Sequence, residues 1–237
     1  MLTRKKRLRW LIARPIAHRG FHDLARGRPE NSLPAFEAAI EAGYAIECDL
    51  HPTADGVPVV FHDDELRRLA GTPGCIRDLS AAQLRPLRLL GTGEWIPTLE
   101  ELLELTDGRV PLVIELKHMP RRDGRLALAV AERLKRYNGP AALMSFDPGL
   151  LAAVKTAAPH IPRGLTAEGD WRRGREHLGT ILELKVDFIS YRVRDLPTPV
   201  PVLANRTLGL PLISWTIRNP QQLRRAQAWS DQITFEG

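Results

Sequence analysis

Acids and bases recur at strand-like spacing in two stretches of this 237-residue chain. In Glu47-Cys48-Asp49 a period of two sends Glu47 and Asp49 to one face of an extended segment and Cys48 to the other. In Glu115-Leu116-Lys117 the same period puts Glu115 and Lys117 together. Two carboxylates on one face repel each other unless a cation lies between them. A third acid from a neighbouring strand completes an oxygen-rich set suited to a hard divalent ion, Mg2+ or Ca2+. Both motifs end otherwise apolar runs, an unusual place for charges that only meet solvent.

Two histidines converge on this set. His18 ends the run Ile16-Ala17-His18-Arg19-Gly20, and His62 lies in Val59-Val60-Phe61-His62-Asp63. The pair Asp55-Gly56 predicts a hairpin turn, so the segment carrying Asp49 reverses and comes back. A hairpin symmetric about that pair sets His62 opposite Asp49. Two imidazoles beside a carboxylate cluster suit general acid–base work. His22 and His51 are close enough to be expected in the pocket lining; His118, His160 and His177 receive no role. Cys48, facing away from the acids, is expected in the core.

The elements that must position these groups alternate. Short runs rich in Val, Ile and Leu predict strands at Ile16–Arg19, Tyr44–Leu50, Pro111–Leu116, Ala141–Phe146, Ile161–Leu165, Asp187–Tyr191, Pro211–Thr216 and Gln232–Phe235. Helical periodicity predicts Ser32–Ala42, Leu99–Thr106, Arg125–Tyr137, Pro148–Ala157, Trp171–Leu184 and Pro220–Trp229 between them. Eight strands with intervening helices predict an α/β fold, a TIM (β/α)8 barrel, over residues 15–237, with a doubly wound open sheet as the alternative. Residues 51–110 are too long for one βα connection. They read as a short insertion after the second barrel strand, with a helix near Ser80–Leu84 and no core of its own.

Composition narrows the function classes. The 34 Lys and Arg against 28 Asp and Glu leave a net charge of +6. Arg4, Lys5, Lys6, Arg7, Arg9 and Arg14 carry all of that surplus, because subtracting six bases leaves 28 of each sign. A body without net positive charge, and without a binding motif, argues against nucleic acid as partner. Residues 1–14 read as a basic N-terminal arm, either a solvated tail or a contact to a membrane surface through residues 4–14. Its apolar part is broken by Arg14 and Pro15, unlike a secretory signal, and the chain has two cysteines, so a cytoplasmic enzyme is expected.

The ordered set His18-Arg19-Gly20, Glu30-Asn31-Ser32, Glu47-x-Asp49, Thr53-x-Asp55-Gly56, His62-Asp63, Pro97-Thr98-Leu99-Glu100 and Glu115-x-Lys117 resembles the glycerophosphodiester phosphodiesterases. The likeness continues through Ser145-Phe146 and Trp215-Thr216 and covers nearly the whole chain. It implies a TIM barrel with a small insertion after the second strand. It also implies one divalent cation held by Glu47, Asp49 and Glu115, and His18 and His62 as the acid–base pair. Arg19 and Lys117 would face the phosphate, Trp215 would line the pocket, and Glu30 and Asn31 would touch metal-bound water or substrate, beside a helix-capping role for Asn31 or Ser32. The implied reaction is hydrolysis of a small glycerophosphodiester to an alcohol and glycerol 3-phosphate. A phospholipase D-type reaction on lysophospholipids is the rival, with Phe21, Phe61 and Trp95 as its apolar path. A non-catalytic phosphate- or membrane-binding module is a further one. Two positions depart from the family pattern: Arg218 stands where Asn is usual, and Thr234-Phe235 where Thr-Asp is usual. Both bear on substrate fit.

Overall fold

The apolar runs pair into one closed sheet. The computed structural model describes residues 4–117 and 124–237; residues 1–3 of the basic segment and His118 lie outside the described residues. The strands are β1 (Ile16–Ala17), β2 (Ala45–Pro52), β3 (Pro58–Val60), β4 (Leu112–Leu116), β5 (Ala141–Ser145), β6 (Arg163–Ala167), β7 (Phe188–Arg192), β8 (Leu212–Ile217) and β9 (Gln232–Phe235). Eight are parallel in the order β1-β2-β4-β5-β6-β7-β8-β9, and β9 pairs back with β1. This is a closed (β/α)8 barrel, not the open doubly wound sheet. Burial on both faces explains why these strands are mostly apolar, with Glu47 and Asp49 in β2 and Glu115 in β4 as the acidic exceptions.

The helices between them are α1 (Leu33–Glu41), α2 (Leu99–Thr106), α3 (Arg125–Leu134), α4 (Pro148–Ala157), α5 (Gly174–Leu184), α6 (Pro199–Thr207) and α7 (Pro220–Trp229). Cap chemistry sets the bounds that match expectation. Thr98 and Glu101 form a capping box at α2, while Asp147 and Asn219 cap α4 and α7 just before a proline. Helix α6 was not among the predicted helices, and its sequence neighbourhood carries Pro197, Pro199 and Pro201. Two of them fall in its first turn, where the N–H groups have no helical partner anyway.

The hairpin differs from its predicted register by one residue. Leu50 pairs with Val60, His51 with Val59 and Pro52 with Pro58. A three-residue loop closes it, with Thr53 N–H donating to the Val57 carbonyl at 3.0 Å and Gly56 at φ 77°. Thr53 Oγ1 fixes this loop by donating to Asp55 at 2.5 Å and accepting from Val57 N–H at 2.9 Å. Asp49 therefore bonds Phe61 across the hairpin, and His62 comes one residue later.

Two segments hold more core than expected. In the insertion, Val59, Phe61, Leu66, Leu69, Ile76 and Leu84 form a satellite cluster of their own, pinned by a Ser80–Gln83 capping box. The basic segment is not a free arm over its described residues. Helical turns at Arg4–Arg7 and Arg9–Ile12 turn Leu8 and Leu11 inward to join Ile16, Val113, Phe188 and Ile213 in the barrel floor. Lys5 pairs with Asp231 at 2.7 Å, and Arg7 pairs with Asp187. Gly164 completes the floor, because a Cβ there would lie 2.3 Å from the Phe188 ring.

Candidate active site

Inward-facing residues at the C-terminal strand ends build the site, as the fold requires. Asp49 on β2 sits level with Glu115 on β4, with Glu47 two residues below. All three are buried, and oxygens of Glu47, Asp49 and Glu115 lie within 4.8 Å of one another. Lys117 Nζ donates to Glu115 Oε1 at 2.8 Å and to Asp49 Oδ1 at 3.2 Å. Arg19 reaches the cluster twice: its backbone N–H donates to Glu47 Oε2 at 3.1 Å, and its Nε lies 3.4 Å from Asp49 Oδ2. That requires a left-handed turn, with Arg19 at φ 56° and Gly20 at φ 80°. A Cβ on Gly20 would lie 2.9 Å from Ala35, so no larger residue fits.

The charges do not cancel. Burial first, then the Asp49 and Glu115 charges, push the Glu47 carboxyl well above its ordinary value. Burial also opposes ionisation of Asp49, yet Lys117, His62 and Arg19 together hold it well below. Burial likewise disfavours the Lys117 cation, and Asp49 and Glu115 more than restore it. Three acids against two bases leave one carboxyl uncompensated, and Glu47 is the one whose ionisation its surroundings disfavour. The buried Asn31 Oδ1 has no hydrogen-bond partner, although its Nδ2 donates to Asp49 at 2.9 Å. An all-oxygen donor set with one uncompensated carboxyl fits a hard divalent cation.

Both histidines are held by their Nδ1 atoms. His18 Nδ1 lies 2.6 Å from Glu236 Oε1, and His62 Nδ1 lies 2.6 Å from Asp63 Oδ1. In each ring Nε2 is left for exchange with a bound molecule, and His18 Nε2 is 3.8 Å from Glu47 Oε2. Burial lowers the proton affinity of His62 and Asp49 opposes it, with a net downward shift. Asp63 is itself held by Arg68 at 2.6 Å, Arg68 by Glu30 at 2.8 Å, and Glu30 by Arg19 at 2.6 Å. This ion-pair chain ties the insertion to the end of β1.

These groups share a cavity of about 430 Å³ whose wall includes His18, Arg19, Glu47, Asp49, His62, Glu115, Lys117 and Trp215. Glu30 and Asn31 sit behind it; Ser32, not Asn31, caps α1. His22 and His51 do not line it. His51 instead faces the His62 carbonyl, with Nε2 at 3.1 Å, and steadies that loop. Cys48 faces the outer core, as strand parity requires. Phe21, Phe61 and Trp95 are absent from the wall, whose aromatics are Phe146 and Trp215, edge to face at 5.7 Å. Glu236, Asp63 and Arg68 were not singled out in the sequence. Asp63 was visible as part of His62-Asp63, but Glu236 and Arg68 carry no local signal.

Fold and site together define a (β/α)8 barrel that carries paired imidazoles and a carboxylate cluster at its C-terminal mouth. The model of the glycerophosphoryl diester phosphodiesterase family matches residues 18–232, and the chain belongs to that family. A glycerophosphodiester phosphodiesterase of Caldanaerobacter subterraneus is 35% identical over 162 residues, 63% of this chain and 65% of the relative, just under two thirds of its length. Glycerophosphodiester phosphodiesterase 1 of Bos taurus is 27% identical over 85% of this chain and 71% of its own. Among solved structures, a phosphodiesterase of Oleispira antarctica in complex with the product sn-glycerol-3-phosphate is 25% identical, with a TM-score of 0.81 over 94% of this chain and 92% of that one. A Parabacteroides distasonis glycerophosphodiester phosphodiesterase is 26% identical with a TM-score of 0.80, covering 94% and 92%.

Proposed function

We propose that the protein hydrolyses small glycerophosphodiesters to an alcohol and glycerol 3-phosphate. The observation that carries this reading is one cavity holding two carboxylate-anchored imidazoles beside a buried acid cluster with Arg19 and Lys117. Glu47, Asp49 and Glu115 would hold one divalent cation, Mg2+ or Ca2+. When bound, that ion offsets negative charge building on the non-bridging oxygens. Arg19 and Lys117 add donors for the same oxygens.

In this reading a hydroxyl of the glycerol adjacent to the ester attacks phosphorus. A new P–O bond forms while the bond to the alcohol breaks. One imidazole Nε2 takes the hydroxyl proton and the other protonates the departing alcohol, giving a cyclic phosphate that water opens with the roles exchanged. General acid–base help of this kind contributes about 10²–10⁴ in rate. A pure phosphate binder would have no use for two imidazoles each anchored through Nδ1.

The lysophospholipid alternative has less support, because Phe61 is buried in the insertion core and Trp95 is stacked under Arg85, leaving no apolar path among those three residues. A membrane-surface contact through residues 4–14 would rest on Arg4, Lys6, Arg9 and Trp10, since Lys5 and Arg7 are in ion pairs and Leu8 and Leu11 are buried. A cytoplasmic location stays a proposal resting on the free thiols of Cys48 and Cys75. The test is release of glycerol 3-phosphate from glycerophosphoglycerol by the purified protein with Mg2+ or Ca2+. Hydrolysis that persists in both His18→Ala and Glu47→Ala would overturn the assignment.

A further inference from the structure

Beside the catalytic cavity lies a smaller groove of about 190 Å³, walled by Arg194, Asn219, Gln221, Gln222 and Arg225. Arg194 and Gln222 belong to both hollows, so the groove extends the cavity mouth. Its chemistry is one-sided, with no carboxylate in the wall. Gln222 Oε1 accepts the Arg218 N–H at 2.7 Å, and Asn219 Oδ1 accepts the Gln222 N–H at 2.9 Å. A backbone N–H can only donate, so these bonds orient both amides and leave their NH2 groups as donors. Arg225 donates to the Arg194 carbonyl at 2.9 Å and keeps its other N–H groups. The neighbouring guanidiniums are neutralised: Arg192 pairs with Glu168 and Asp195, and Arg218 with Glu236. Arg194 and Arg225 have no such acid among the described residues.

We propose that this groove is a subsite for an anionic group, a phosphate or carboxylate, carried by the alcohol substituent of the diester. The proposal rests on the phosphodiesterase reading of the adjoining cavity and names the substrate class within it. A quaternary ammonium headgroup would meet two like charges there, whereas an anionic one meets two cations and up to three amide donors. Two cations at about 5 Å from an added anion, in a solvated setting, correspond to about a tenfold preference.

The experiment compares kcat/KM for glycerophosphoglycerol with the same diester bearing a terminal phosphate monoester, using the metal-loaded protein at low ionic strength. The phosphorylated diester should be favoured about tenfold, and the ratio should fall toward one as NaCl rises past about 0.3 M. The ratio should also collapse in Arg194→Gln/Arg225→Gln and survive in Arg194→Lys. A ratio of one or less in the wild type, or one indifferent to both salt and the double substitution, overturns the subsite. The wild-type salt titration decides the matter even if the double variant does not fold. If neither diester is hydrolysed, the phosphodiesterase reading fails and takes the subsite with it. That result is distinct from equal hydrolysis of both, which removes the subsite alone.

Discussion

Arg218 and Glu236, on opposite sides of the β8–β9 junction, form a two-pronged ion pair, Nε to Oε2 at 2.5 Å and a terminal nitrogen to Oε1 at 2.7 Å. The same carboxylate receives His18 Nδ1 at 2.6 Å. Arg218, where Asn was expected, thus contacts the residue that follows Phe235, where Asp was expected. A register shift between Ser214 and Ile217 brings Ile217 level with Phe235, which sets Arg218 and Glu236 each one residue past that pair. Glu236 positions His18 and does not face the reacting atoms. Glu236→Gln should lower kcat by up to about 10²-fold with KM nearly unchanged, because only the orientation and charge support of the imidazole are lost. Steady-state kinetics with glycerophosphoglycerol check the split, and a loss confined to KM would remove this role.

Replacing either imidazole tests the acid–base pair itself. His18→Ala and His62→Ala should each cut kcat by about 10²–10⁴, the range of one general acid or base. The double variant should lose little more than the worse single one if, as proposed, the two share one proton-transfer step. Circular dichroism would confirm that both single variants stay folded, and strictly additive losses would argue against a shared step.

The carboxylate cluster should couple ion binding to stability. A buried uncompensated carboxyl destabilises the folded chain, and an ion that binds only the folded state stabilises it by about 2.7 kcal/mol at a hundredfold excess over Kd. Adding Mg2+ or Ca2+ should therefore raise Tm, and a chelator should reverse the rise. Glu47→Gln should raise the metal-free Tm, since it removes the carboxyl that burial and its neighbours disfavour, while weakening ion binding in calorimetry. Unchanged Tm on adding either ion to the wild type would count against these ligands.

Why some of this was legible in the sequence follows from which interactions are local. Strand parity put Glu47 with Asp49, and Glu115 with Lys117, on shared faces, because the period of two is a property of the backbone. Helical periodicity marked α2, α4 and α7 for the same reason, since it too is set by the local backbone. Register in the hairpin depended on how Thr53 bonds Asp55 and Val57, a side-chain choice that the Asp-Gly pair does not reveal. Glu236 reaches His18 only because β9 pairs back with β1 when the barrel closes, whereas Arg68 lies close to Asp63 in the chain but in a segment with no periodic pattern to point it there. The basic segment misled through its charge: none of its bases is buried and two of them pair with barrel acids, while Leu8 and Leu11, three residues apart, carry the packing.

That packing makes the segment part of the fold's stability. Leu11 is fully buried in the barrel floor against Ile16, Val113 and Phe188. Leu11→Ala should cost about 2–5 kcal/mol, the range for a buried leucine whose cavity cannot collapse. Lys6→Ala, an exposed change in the same segment, should stay within about 0.5 kcal/mol. Urea unfolding checks both, and equal midpoints for Leu11→Ala and the wild type would show that the floor is not sealed by this residue.

Acid should weaken the protein partly through Glu236. Burial opposes its ionisation, but the hydrogen bonds from His18 and Arg218 outweigh that and hold the carboxyl well below the 4.5 of an ordinary glutamate. The unfolded chain therefore binds this proton more readily than the folded one. The stabilisation is fully present above 4.5 and disappears as pH falls from there through the folded value. Glu236→Gln cannot lose a charge it does not have, so its Tm should start lower at neutral pH and decline less steeply between about pH 5 and pH 3. Calorimetry in chelator-containing buffer keeps ion release out of the comparison. Parallel Tm curves for the two proteins across that interval would show that the Glu236 carboxylate contributes nothing to acid sensitivity.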